Sequence, residues 1–230
     1  MTTTGLIVAL DDPDLPKAEA LARKLSGRVA AFKVGPILFN AYGPEAILEV
    51  GQHGRVFCDL KLHDIPNTVG AAAAELTRQG VWMFTVHASG GAPMIQVAAA
   101  AAQNHSPSPL VAAVTVLTSL SEDDLKVVGQ QGPARDQVTR LAHLAVGAGA
   151  TALVCSALEA GMLRELLGRK IVLVVPGVRP VGADSGDQSR IATPADARDA
   201  GADYVVVGRP ITADPDPVGA AERVLTELSS

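Results

Sequence analysis

The chain has few aromatic residues, few cysteines and no excess of positive charge. Phe, Trp and Tyr make up 3% of its 230 residues, so stacking platforms for nucleic-acid bases are not expected. The formal net charge of −5 leaves no broad basic face for a polyanion, and we therefore expect no nucleic-acid partner. A small anionic ligand remains compatible with this composition, because a few local Lys and Arg side chains are enough to hold it.

The cysteines and the apolar runs exclude other classes of protein. Cys58 and Cys155 lie in apolar strand-like segments without metal-ligand spacing, which predicts buried, reduced packing residues. No uninterrupted apolar run approaches the roughly 18 residues of a membrane span. The first apolar stretch has no basic segment before it, so no signal peptide is expected. We expect a cytoplasmic protein without a membrane partner.

Short runs rich in β-branched residues alternate with segments of helical spacing. The predicted strands are 5–10, 29–34, 55–60, 81–87, 110–117, 151–155, 170–175 and 203–207. The predicted helices lie near 16–26, 40–51, 66–79, 92–104, 134–148, 158–167, 194–200 and 215–228. This alternation predicts an α/β fold, a single (β/α)₈ TIM barrel that forms one catalytic domain over residues 1–230. A doubly wound open sheet is the alternative, but no Gly-x-Gly-x-x-Gly turn follows the first strand.

Polar residues cluster at the carboxyl ends of these strands, where barrel enzymes carry their catalytic groups. They are Asp11, Lys33, Asp59 with Lys61, His87, Thr118 with Ser119, Arg179, and Gly208 with Arg209. Taken singly, several have structural explanations. Asp11 is compatible with a turn or helix cap, Lys33 with a lysine that extends to solvent, and Thr118 or Ser119 with an N-cap.

The run Asp59-Leu60-Lys61-Leu62-His63-Asp64 brings two carboxylates and an ammonium next to a buried strand. Buried charge costs several kcal/mol or more unless it is paired. In an extended segment Asp59 and Lys61 share a face, with Cα atoms about 6.6 Å apart, so their side chains can meet. Asp64 precedes Ile65-Pro66 and is expected in a loop that reaches outward. An active-site lysine is favoured, and a purely structural ion pair is the alternative.

The loops after the seventh and eighth strands predict a phosphate site. The segment Pro176-Gly177-Val178-Arg179-Pro180 leads into a polar loop over 181–190. Gly208 permits close backbone approach, and Arg209 offers a planar fork of donors. The length of the 181–190 loop predicts a lid that closes on the ligand.

In order and spacing, these motifs resemble the orotidine 5′-phosphate decarboxylase family. The matching segments are Val-Ala-Leu-Asp (8–11), Phe-Lys-Val-Gly (32–35), Asp-Leu-Lys-Leu-His-Asp-Ile-Pro-Asn-Thr (59–68), Thr-Val-Leu-Thr-Ser (115–119), Pro-Gly-Val-Arg-Pro (176–180), Gly-Asp-Gln (186–188) and Gly-Arg-Pro-Ile-Thr (208–212). The resemblance runs from Leu6 to the last helix. It implies decarboxylation of orotidine 5′-phosphate to UMP without a metal or another cofactor.

The resemblance also implies a role for each matched residue. The catalytic tetrad would be Lys33, Asp59, Lys61 and Asp64, with Lys61 protonating carbon 6 of the pyrimidine. Asp64 and Thr68 would reach the neighbouring site in a homodimer. Asp11 would hold the ribose, Thr118 the pyrimidine edge, and Arg179, Gln188, Gly208 and Arg209 the phosphate. Lys33 and Thr68 would also bind the substrate.

Two other functions compete with this interpretation. Metal-dependent relatives that resemble 3-keto-L-gulonate 6-phosphate decarboxylase or hexulose-phosphate synthase also use an Asp-x-Lys-x-x-Asp element. They carry a metal-binding acid at the strand-two position, where this chain has Lys33, and a cation there would repel Mg²⁺. A phosphate-ligand-binding barrel without catalytic activity would need the arginines but not the tetrad.

Overall fold

A computed structural model of the chain describes residues 4–130, 132–180 and 192–230. Within these ranges, parallel strands form a closed barrel in which β1 also pairs with β8. The strands are β1 (Gly5–Ala9), β2 (Ala31–Val34), β3 (Val56–Leu62), β4 (Met83–His87), β5 (Leu110–Val114), β6 (Ala152–Val154), β7 (Val172–Val175) and β8 (Tyr204–Val207). The predicted TIM barrel is confirmed, and the doubly wound alternative is wrong because the sheet closes on itself.

Helices alternate with the strands. They are α1 (Leu15–Leu25), α2 (Pro36–Tyr42), α3 (Pro44–Gly51), α4 (Pro66–Arg78), α5 (Ala92–Gln103), α6 (Glu122–Val127), α7 (Ala134–Gly147), α8 (Ala157–Leu167), α9 (Pro194–Asp199), α10 (Arg209–Thr212) and α11 (Pro217–Ser229). The single helix predicted near 40–51 is wrong. Gly43 adopts a φ of +59° and Pro44 opens a new helix, so the segment divides into α2 and α3. None of the helices described is both long and apolar enough to cross a membrane.

Side chains alternate along each strand between the inside of the barrel and the helix layer. On β3, Val56 and Cys58 belong to the outer cluster, whereas Phe57 belongs to the inner one. The inner cluster consists of Ile7, Ala9, Ala31, Phe57, Met83, Ala112, Ala152, Val174 and Val206. Asp59 continues the inward row after Phe57, and its carboxylate therefore enters the barrel at its carboxyl end.

Both cysteines are packing residues, as predicted. Cys58 and Cys155 are free thiols with no exposed surface. Burial raises the pKa of Cys58 to about 12 and raises the pKa of Cys155 as well. Neither thiol is therefore a nucleophile at neutral pH.

Candidate active site

A cavity of about 550 Å³ opens at the carboxyl ends of the strands. Of the predicted site residues, it brings together Asp11, Lys33, Asp59, Lys61, Thr118, Arg179, Gly208 and Arg209. Inward-facing side chains such as Phe57, Val154, Val174 and Val206 supply its apolar walls. A mostly apolar cavity with a few convergent charged groups is typical of a site for a small polar ligand.

Four charged side chains form a continuous row in this cavity. Lys33 Nζ lies 2.8 Å from Asp11 Oδ1 and 3.6 Å from Asp59 Oδ2. Lys61 Nζ lies 2.9 and 3.0 Å from the two carboxylate oxygens of Asp59. Negative and positive groups alternate along the row, so each charge has a partner of opposite sign. This pairing offsets the desolvation of the buried members.

Asp59 is the buried centre of the row. Its side chain is 12% exposed and that of Lys33 is 10% exposed, whereas that of Asp11 is 45% exposed. Burial alone would raise the pKa of Asp59. The charges of Lys33 and Lys61, with hydrogen bonds from Lys61 and Thr85, outweigh burial and hold this pKa below its ordinary value. The carboxylate is therefore ionised at neutral pH and attracts both ammonium groups.

The backbone from Asp59 to Lys61 departs from the regular strand that the sequence predicted, and we call this irregularity of the β3–β4 ladder the bulge. The register of β3 against β4 shifts between the pairs Cys58–Phe84 and Leu62–Val86. Lys61 adopts a φ of +52°, which is uncommon for a residue with a Cβ. Within the bulge, Lys61 Nζ lies within hydrogen-bond distance of both carboxylate oxygens of Asp59.

Asp64 and Thr68 lie outside the cavity of their own chain. Both are exposed, and Asp64 Oδ1 accepts a hydrogen bond of 2.6 Å from the backbone N–H of Ile65. Ile65 is the N-cap of α4 and is 66% exposed. The loop between β3 and α4 thus presents a carboxylate and an apolar side chain to solvent. The prediction that Asp64 lies in an outward loop is confirmed.

The two predicted phosphate-binding arginines lie in the same cavity. The backbone N–H of Arg179 donates to Ala192 O at 2.9 Å, and the guanidinium donates to Val178 O at 3.0 Å. Arg209 is exposed at the start of α10, directly after Gly208. Gln188 and the predicted lid over 181–190 lie outside the described residues.

His87, at the end of β4, packs against a second imidazole and does not line the cavity. The ring centroids of His63 and His87 lie 5.3 Å apart. Burial lowers the pKa of His87, and the nearby His63 and Lys61 lower it further, so the ring is neutral at pH 7. Among the residues that the structure describes, no three His, Cys, Asp or Glu side chains are grouped to hold a metal ion.

The family model "Orotidine 5′-phosphate decarboxylase / HUMPS family" matches residues 4–224 of the chain. The chain belongs to this family. Relatives named orotidine 5′-phosphate decarboxylase include a Moorella thermoacetica protein, 50% identical over 97% of this chain and 91% of the relative. A Thermobifida fusca protein is 51% identical over 97% of this chain and 95% of the relative.

Solved structures agree with this membership of the decarboxylase family. The crystal structure of orotidine 5′-phosphate decarboxylase from Lactobacillus acidophilus is 37% identical and covers 99% of this chain and 100% of its own. The TM-score between the two is 0.85. The predicted resemblance to the family, and with it the prediction of a carboxy-lyase, is confirmed.

Two residues beside the charged row, Thr85 and Gly35, were not predicted from the sequence as site residues. Thr85 donates a hydrogen bond of 3.0 Å to Asp59 Oδ1, but a threonine inside a strand is an ordinary β-former. Gly35 leaves the space that the Asp11–Lys33 ion pair occupies, because an added Cβ would lie 2.7 Å from Asp11 Oδ1. Gly35 ends the family-like segment Phe-Lys-Val-Gly (32–35), which was a signal available in the sequence.

Proposed function

We propose that this chain decarboxylates orotidine 5′-phosphate to uridine 5′-phosphate, the last step of UMP synthesis, without a metal ion or other cofactor. Relatives of that name align with nearly the whole chain. The observation that carries the proposal is the row around Asp59, in which Lys61 Nζ lies 2.9 Å from Asp59 Oδ1. The row supplies a cation beside a fixed anion in a cavity that also contains Arg179 and Arg209.

Lys61 is the catalytic acid in this proposal. Loss of CO₂ breaks the bond between C6 and the carboxyl carbon and leaves the electron pair on C6. The pyrimidine ring does not delocalise this pair, so fixed charges of the protein must stabilise it. The Lys61 ammonium stabilises the pair and then donates a proton from Nζ to C6, which forms the C–H bond of the product. Asp59, with both oxygens near Nζ, orients the proton donor.

The fourth member of the proposed tetrad, Asp64, comes from the neighbouring subunit of a homodimer. Two observations support this arrangement. Asp64 is exposed and does not line its own cavity, while the Lys61 side chain is 32% exposed and open to an approaching carboxylate. The exposed Ile65 beside it suits an interface. Thr68 lies in the first turn of α4 and would reach the partner's ligand from the same loop.

The remaining predicted residues bind the substrate. Asp11 and Lys33 would hold the ribose hydroxyls, because their ion pair lies at the cavity edge between β1 and β2. Thr118 lines the cavity after β5 and would contact the pyrimidine edge. The phosphate would be bound by Arg179, Gln188, Gly208 and Arg209. Phosphate contacts far from C6 would supply binding energy that organises the transition state.

The chemistry of the Lys33 position favours this reaction over metal-dependent reactions on the same barrel. Lys33 Nζ lies between the carboxylates of Asp11 and Asp59, where a divalent cation would otherwise find two acidic ligands. An ammonium at this point repels a second cation. We therefore expect that the rate with orotidine 5′-phosphate is the same with and without EDTA. Loss of activity in EDTA that Mg²⁺ restores would contradict the proposal.

Lys61→Ala tests the assigned proton donor. The purified wild-type protein and the variant are compared by the loss of orotidine 5′-phosphate absorbance, with UMP identified as the product. We expect turnover by the wild type and a fall in kcat of at least about a thousandfold in the variant, since it removes both charge stabilisation and proton donation. Near-wild-type turnover by Lys61→Ala would refute the assigned role.

The shared site is tested by mixing two inactive variants. In a mixed dimer of Lys61→Ala and Asp64→Ala, one site contains an intact lysine and an intact aspartate. If subunits exchange freely, half of the dimers are mixed and each has one complete site, which gives about a quarter of wild-type activity. Asp64→Ala alone is the control. No recovery after native mass spectrometry has demonstrated exchange would contradict the shared site.

A further inference from the structure

Thr85 lies at the point where β3 and β4 lose their common register. Between the pairs Cys58–Phe84 and Leu62–Val86, β3 contains three residues and β4 contains Thr85 alone. The regular ladder cannot pair three backbone units with one, so the bulge leaves polar groups of β3 without their usual partners. Thr85 itself is fully buried, so its hydroxyl must find its hydrogen-bond partners within the protein.

The Thr85 hydroxyl bridges the two charged residues of the bulge. It accepts a hydrogen bond of 2.8 Å from the backbone N–H of Lys61 and donates one of 3.0 Å to Asp59 Oδ1. A hydroxyl has one donor and two acceptor sites, so both bonds can exist together. One buried atom thus fixes the backbone of the lysine and the carboxylate that faces its ammonium.

We propose that Thr85 is a positioning residue for Lys61, an inference that rests on the decarboxylation proposed above. Lys61 adopts a left-handed backbone conformation that a residue with a Cβ rarely takes, and its N–H is held by Thr85. The same hydroxyl orients Asp59, whose two oxygens lie 2.9 and 3.0 Å from Lys61 Nζ. Thr85 therefore determines where the proton of Lys61 points.

Thr85 is not among the residues that line the cavity, so it does not contact the substrate directly. A residue that acts only through Lys61 and Asp59 changes the chemical step and leaves nucleotide binding largely intact. Loss of Thr85 should therefore lower kcat more than it raises KM. If Thr85 only packed the core, its replacement would lower the melting temperature and leave the kinetic constants of the folded enzyme unchanged.

The test compares Thr85→Val, which keeps the shape and removes the hydroxyl, with Thr85→Ser, which keeps the hydroxyl. Thr77→Val is the matched control, because Thr77 is also buried and its hydroxyl donates only to Ala73 O, within α4. We expect Thr85→Val to lower kcat by about ten- to a hundredfold with KM changed by less than about threefold. Thr85→Ser and Thr77→Val should stay within about threefold of the wild type.

The pH profile adds a readout that a packing role would not move. Without the Thr85 hydrogen bond, Asp59 loses a donor to its charged form, so the acid limb of the kcat/KM profile should shift to higher pH.

Wild-type kcat in Thr85→Val, or equal losses in the Val and Ser variants, would overturn the inference. If Thr85→Val does not fold, rapid hydrogen exchange of the Lys61 amide in the wild type would overturn it, and a protected amide would support it. If neither the wild type nor the Thr77→Val control turns over orotidine 5′-phosphate, the proposed function itself is refuted.

Discussion

Replacing Gly35 by alanine should separate the activity of this barrel from its stability. Gly35 follows β2 with φ of −100° and ψ of −177°, a conformation that alanine also adopts. The added Cβ would lie 2.7 Å from Asp11 Oδ1 and 3.0 Å from Lys33 Nζ. Both atoms are the ends of flexible side chains, so the backbone need not move. We expect the 2.8 Å contact between Asp11 and Lys33 to open.

The structure gives the size of each effect. Because the Asp11 side chain is 45% exposed, solvent screens the ion pair, and its loss should lower the free energy of unfolding by less than about 1 kcal/mol. Lys33 keeps Asp59 at 3.6 Å and so retains a partner. Catalysis depends more steeply on position. A displacement of Lys33 by about 1 Å should lower kcat/KM by about ten- to a hundredfold.

The assay combines steady-state kinetics with orotidine 5′-phosphate and urea unfolding of the same preparations. Gly161→Ala is the control, since its Cβ would meet nothing within 4 Å, in the middle of α8. We expect wild-type kinetics from the control, with a gain in stability of up to about 1 kcal/mol. A Gly35→Ala enzyme whose kcat/KM stays within about twofold of the wild type would refute the reasoning.

Two further predictions concern ionisation. The pKa of Asp59 is lower in the folded chain than the ordinary 3.8, so its contribution to stability is present above that value and is lost as the pH falls through the folded pKa. The difference in urea stability between the wild type and Asp59→Asn should therefore shrink between about pH 5 and about pH 3, and a constant difference would contradict this. Because burial raises the pKa values of Cys58 and Cys155, neither thiol should react with a thiol reagent until the chain unfolds. Rapid labelling of the native protein would disprove that prediction.

The barrel and most of its mouth were predictable, because the apolar pattern determines both. Buried parallel strands read as short apolar runs, and the first polar residue after such a run marks a carboxyl end. Asp11, Lys33 and Arg209 could be assigned to one cavity for this reason. Such an assignment requires only the positions and the order of the strands, and not the packing of their side chains.

Features that depend on contacts across strands were not predictable. Nothing in Leu60-Lys61-Leu62 signals a positive φ, since glycine and asparagine are the usual indicators and neither is present. Thr85 favours a strand by intrinsic propensity, so its hydrogen bonds to β3 leave no trace in its own segment. Gly43 and Pro44 indicate the division between α2 and α3, but the residues around them have the spacing of one continuous helix.

The left-handed backbone at Lys61 has a consequence for transferring this chemistry to another scaffold. A regular strand that carries an aspartate and a lysine two positions apart would reproduce the sequence but not the bulge in which the lysine lies. The strain of such a backbone is of order 1–3 kcal/mol, and glycine would relieve it while removing the amine. The unit to transfer is therefore a pair of strands. One strand carries the extra residues of the bulge, and the other carries the hydroxyl that binds them.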